Sequence, residues 1–233
     1  MPHQIPSITI KMALPFCLLL SILLVAEVIG IYIGHSFLAN EGFKGYWVLS
    51  RMVLPFIVVF MLSIPFKSLY LSKPKLSHIS PYFIGFCALA LFGLLIYLQF
   101  FAEDYLQYYR NGRSLETLHA INRFQRFSIF TASTVIGWEL LYRGFIFGGG
   151  QYCLVKHLHV ETSIATFMMA VIICICEVTF HLQKPIFESL GMVIASPLLS
   201  YLTAKTRSLW PAMAIHLMIE FIFGFSAYVY SVN

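Results

Sequence analysis

Charge is what this sequence has least of. Asp, Glu, Lys and Arg together make up 11% of its 233 residues, against about 25% in an average soluble domain. So small a share cannot cover the surface of a water-soluble fold of this length, and the mean hydropathy of +0.82 points the same way. The long apolar runs also lack alternation of polar and apolar residues. That excludes a transmembrane barrel and leaves helices as the means of satisfying the backbone in lipid. Cysteine is sparse and scattered: Cys17, Cys87, Cys153, Cys174 and Cys176 lie mostly inside apolar runs and read as small buried hydrophobes. Neither a disulfide framework nor a zinc framework follows from them. There is no internal repeat and no low-complexity segment, so nothing favours the repeat halves of a secondary transporter.

What charge there is sums to +5 and sits almost entirely in short connecting segments. There Lys and Arg set orientation and favour anionic headgroups, so the expected partner is a lipid bilayer and not nucleic acid. Apolar runs long enough to cross a hydrocarbon core about 30 Å thick recur along the chain. They cover about Met12–Ile33, Tyr46–Phe66, Pro81–Ala102, Phe127–Phe147, Thr162–His181, Ile186–Ala204 and Leu209–Tyr230. The expected fold is therefore all-α, a polytopic transmembrane helix bundle of about seven spans forming a single membrane domain over residues 1–233. It is an integral, multi-pass protein on this reading, and Lys67, Lys73 and Lys75 in the loop behind the second run favour a cytoplasmic N-terminus. Residues Glu103–Arg126 interleave arginines and acids with Tyr105, Leu106, Tyr108, Tyr109, Leu115 and Leu118. They read either as an interfacial helix, which would make an eighth element, or as an ordinary loop. Gly148-Gly149-Gly150 is expected to stop the fourth helix, and Lys184-Pro185 to break the fifth from the sixth.

Ionisable residues inside the apolar runs are the informative exceptions. Glu27 in the first run reads as a residue facing the bundle interior. Three later runs each carry a pair four residues apart, Glu139 with Arg143, Glu177 with His181, and His216 with Glu220. That spacing puts both members on one helix face. Facing lipid, these groups would cost on the order of 10 kcal/mol together, so they are expected to converge on a common polar cavity. A carboxylate beside imidazoles in such a place can activate water toward a peptide carbonyl, with histidine donors stabilising the oxyanion. Two histidines and a glutamate could equally hold zinc, or relay protons. One tension follows from the expected boundaries: at 1.5 Å per residue, His181 and His216 would lie about 15–20 Å apart in depth. A tilted fifth helix, or a turn at Lys184-Pro185 that re-enters the membrane, would resolve it.

Three stretches in this order carry a resemblance: Trp138-Glu139-Leu140-Leu141-Tyr142-Arg143-Gly144, then His181 at the end of the next apolar run, then Ser208 through His216 to Glu220. Together they resemble the CAAX protease and bacteriocin-processing family of membrane endopeptidases, whose motifs are Glu-Glu-x-x-x-Arg, Phe-x-x-x-His and His-x-x-x-Asn. The resemblance covers about Thr131–Glu220 and makes residues 127–231 the catalytic helices. It implies an intramembrane endopeptidase that cleaves a membrane-tethered peptide or protein, prenylated for some members, through a glutamate-activated water. Zinc is an alternative not favoured, so no cofactor is expected. Trp138 stands where the first glutamate of the motif belongs, Glu177 replaces the phenylalanine of the second, and Glu220 replaces the asparagine of the third. On this pattern Glu139 activates water with Arg143 holding it, His181 and His216 polarise the carbonyl and the water, and Glu220 orients His216. Glu177 either replaces the missing acid or orients His181. The competing reading is a catalytically inactive relative acting as a peptide-binding or immunity membrane protein.

Overall fold

The computed structural model describes Ser21, Val25 and residues 49–75, 77, 79–101, 134–182, 184 and 186–232. The expected first span with Glu27, apart from those two residues, and the expected interfacial stretch 103–126 lie outside the described residues. All regular structure among the described residues is helical. A π-helical turn, Leu49–Val53, leads into α1, Leu54–Met61, and α2 covers Pro81–Phe101. Helical residues 134–139 run into a π-helical stretch, Leu140–Gly149, and then into α3, Gly150–His157. The last three are α4, Thr162–His181, α5, Ile186–Thr206, and α6, Trp210–Val232. Among the described residues α4 is the one helix long and apolar enough to cross a membrane. Arg51–Met61, Phe83–Leu98 and Trp210–Ser226 are shorter apolar helices.

The bounds of α2, α4, α5 and α6 follow the apolar runs closely, but two expected features differ. The run Tyr46–Phe66 is not one helix. It stops at Met61, Ser63 takes a left-handed conformation (φ 52°), and Ile64 N–H closes the end on the Val59 carbonyl at 3.0 Å. Pro65 enforces this, because it lacks an amide hydrogen and pushes Ile64 out of the helical region. The glycine run is the second correction. Gly148-Gly149-Gly150 does not end the fourth helix, which passes through it in helical geometry into α3. The glycines are needed for close approach instead: a β-carbon on Gly148 would lie 2.0 Å from the Ser68 carbonyl oxygen, and one on Gly150 would lie 2.5 Å from Met169 Cε.

The π-helical stretch is the centre of the described fold. Leu141 through Gly149 are all buried, with no solvent-facing side, as befits a helix surrounded by others. The turn Phe66–Leu69, α1, α3, α4 and α5 pack around it. The outer faces carry exposed Phe60, Phe92, Phe167 and Ile194, an apolar exterior that lipid would cover.

Two polar ties fix the connecting segments. Residues 70–75 run alongside the α5–α6 turn: Leu209 N–H donates to Tyr70 O (2.8 Å), Lys75 N–H to Thr206 O (3.0 Å), and Ser208 Oγ to Ser72 O (2.7 Å). Tyr70 Oη donates to Gln151 Oε1, and Gln151 passes the chain on to Thr166 Oγ1 at 2.6 Å. Burial pushes the Tyr70 phenol above its ordinary value, which keeps it the donor in that bond. Pro197, inside α5, leaves the Val193 carbonyl without its helical donor, and Cys174 Sγ lies 4.0 Å from it on α4. Cys87, Cys153, Cys174 and Cys176 are all free thiols.

Candidate active site

The ionisable residues of the late helices form one connected cluster around Arg143. Its side chain and those of Glu139 and Glu177 are 0% exposed, so each charge depends on the others for compensation. Arg143 Nη1 donates to Glu139 Oε1 at 2.9 Å and to Glu177 Oε1 at 2.8 Å, while Nη2 donates to Glu177 Oε2 at 2.8 Å. Glu177 is therefore held in the two-pronged geometry that suits a guanidinium. The Trp138 indole N–H adds a bond of 2.5 Å to the same Oε1.

Glu139 is held differently. Its Oε1 takes Arg143 and, at 2.6 Å, His216 Nδ1 from α6. Its Oε2 is buried and has no hydrogen-bond partner among the described residues. Two carboxylates thus face one guanidinium, and His216 Nδ1 is the second group on Glu139 Oε1. A second cation lies just outside: Arg51 is buried, with its guanidinium 4.6 Å above the Trp138 ring and 5.3 Å from Phe180.

Local structure explains how one stretch supplies so much of this. Glu139 is the last residue before the π-helical turn widens, and Arg143 lies one turn on. Turns of this kind are rare and concentrate at functional sites, because their looser backbone re-aims side chains. Trp138 is packed in place by Tyr142 and Phe180, with ring centroids 4.5 and 4.6 Å away.

His181 reaches the cluster indirectly. Its ring lies edge-on to Trp138 at 5.6 Å, and its Nδ1 is 2.7 Å from the Glu177 backbone carbonyl, not from the Glu177 carboxylate. Its Nε2 is 3.4 Å from Glu188 Oε1, on the first turn of α5. Glu220 is half-buried and makes no hydrogen bond or ion pair among the described residues, while His216 Nδ1 turns to Glu139. Of the six residues singled out from sequence, four share direct bonds (Glu139, Arg143, Glu177, His216). His181 adjoins them, and Glu220 stands apart.

Arg51, the Trp138 N–H and Glu188 were not picked out by the sequence as site residues. Arg51 carried a usable signal, since it lies inside an apolar run and not in a loop. Among the described residues no three of His, Cys, Asp and Glu are grouped to hold a metal ion. The oxygens of Glu177 are occupied by N–H donors from Arg143 and Trp138.

Residues 119–222 match the family model described as type II CAAX prenyl endopeptidase Rce1-like. That range contains every cluster residue except Arg51. No curated protein and no solved structure matches the chain.

Proposed function

We propose, from the match of residues 119–222 to the Rce1-like family model, that this chain is a member of the CAAX protease and bacteriocin-processing family and an intramembrane endopeptidase. Its substrate on this reading is a membrane-tethered peptide or protein, with prenylated C-terminal tails the first class to try. The protein itself is read as a multi-pass bundle of about seven spans, with the scissile bond brought to the Arg143 cluster.

The observation that carries the reading is the Glu139 carboxylate, anchored through Oε1 by Arg143 and His216 and without a hydrogen-bond partner at the buried Oε2 among the described residues. Glu139 Oε2 takes a proton from water as the water oxygen bonds to the scissile carbonyl carbon. The same proton passes to the amide nitrogen as the C–N bond breaks. On this reading His216 and His181 supply the N–H donors to the developing oxyanion. Glu177 does not serve as the base, because Arg143 and Trp138 occupy its oxygens. It positions Arg143, and through it Glu139.

A positioned general base contributes about 100- to 10,000-fold. Purified protein in lipid vesicles, given a prenylated peptide with a Cys-aliphatic-aliphatic-X tail, should therefore lose at least about 100-fold in kcat on Glu139→Gln. Cleavage by that variant within twofold of the parent would refute the assignment. Peptide binding without any cleavage by the parent protein would leave the inactive, peptide-binding relative in its place.

A further inference from the structure

His181 is held from two sides, and the second side belongs to no motif. Nδ1 faces the Glu177 carbonyl at 2.7 Å, and a carbonyl only accepts, so Nδ1 carries a proton. Nε2 faces Glu188 Oε1 at 3.4 Å, with the two side chains 8% and 7% exposed. If Nε2 and the carboxyl were both unprotonated, lone pairs would face each other in a nearly sealed space. A proton on either one would turn that opposition into a hydrogen-bonding contact, beside the Lys184 ammonium that already donates to the same oxygen.

Placement of Glu188 is built into the fold. It sits in the first turn of α5, where the helix dipole favours an acid. The next residue, Ser189, donates its hydroxyl to the His181 carbonyl at 2.6 Å, tying that turn to the end of α4. Lys184, partly exposed in the intervening turn, donates to the same Glu188 Oε1. The other charged or titratable groups acting on His181 are Arg51 from the first π-helical turn and His216 from α6. Glu177 on its own helix has its carboxylate turned to Arg143.

We propose that Glu188 is the proton partner of His181: the pair shares one proton, and Glu188 sets whether His181 Nε2 presents an N–H to the reacting carbonyl. Glu188 is a positioning residue, acting through His181. The catalytic part of this rests on the endopeptidase reading, but the shared proton does not.

The test therefore has two arms. Selective 15N-histidine labelling of the full chain in detergent micelles gives the His181 titration, assigned by the signal missing in His181→Gln. Glu188→Gln should move that titration by at least one pH unit, and Glu188→Asp by less. An unmoved titration in Glu188→Gln overturns the proposal whether or not the protein cleaves anything. In the second arm, with the prenylated peptide, Glu188→Gln should lower kcat about 10- to 100-fold, the scale of partners that orient a working histidine. KM should stay within twofold, the pH profile should lose the limb belonging to the pair, and Glu188→Asp should restore part of it. A pH profile superimposable on the parent's overturns the catalytic role. No cleavage by the parent protein defeats the endopeptidase reading and the catalytic role with it, while the titration still decides the shared proton.

Discussion

Replacing Arg143 by methionine keeps an unbranched apolar stem and removes the guanidinium that pairs with two buried carboxylates. The structure supplies the magnitude. Three charge-assisted bonds of 2.8–2.9 Å join fully buried partners, so each freed oxygen would be left in a low-dielectric interior without its donor. Breaking a buried ion pair by removing one partner costs about 3–5 kcal/mol, more than the bonds themselves return, because the remaining charge is left uncompensated. Arg143→Met should therefore lower unfolding stability by about that amount. Removing Glu177 as well should cost less than the sum of the single changes, with a coupling of about 1–3 kcal/mol, since residues in one ion-pair network do not behave independently. The assay is equilibrium unfolding in mixed micelles, followed by far-UV circular dichroism and by the fluorescence of Trp138 and the other two tryptophans. If the double variant is additive to within about 0.5 kcal/mol, Arg143 and Glu177 are not coupled as described. The account of the cluster as one electrostatic unit then fails.

Two further outcomes follow from contacts elsewhere. Trp138→Phe keeps the ring that packs on Tyr142 and Phe180 but deletes the N–H to Glu177. It should cost about 1.5–3 kcal/mol in the same assay, the worth of a hydrogen bond to a charged group. Gly148→Ala places a methyl 2.0 Å from a backbone carbonyl and should lower stability by about 1–3 kcal/mol. Gly85→Ala in α2 meets nothing within 4 Å and should raise it by about 0.5–1 kcal/mol.

Much of the helix layout was legible from the residues alone. In lipid the backbone must satisfy itself, so an apolar run of sufficient length becomes a helix wherever proline or a polar break does not intervene. The limits of α2, α4, α5 and α6 lie where the runs begin and end. The break between α4 and α5, expected at Lys184-Pro185, follows from the same local rule. Pro65 could have shortened the second run by that rule as well.

Partner choice was settled only in three dimensions. Four-residue spacing put Glu177 on the face of His181 and Glu220 on the face of His216. Yet Glu177 bonds Arg143, 34 residues away, and His216 bonds Glu139, 77 residues away. Shared face is a property of backbone periodicity, while a bond needs the two side-chain ends to meet, and neighbouring helices bring ends together that one helix holds parallel. The glycine run teaches the same lesson. Its letters read locally as a stop, but the Ser68 carbonyl and the Met169 side chain, arriving from distant segments, demand positions without a β-carbon. The sequence determined that this chain is helical, apolar outside and ionisable within. Tertiary packing decided which carboxylate is clamped and which oxygen is left open, because only the crossing of helices distributes Arg143's donors between Glu139 and Glu177.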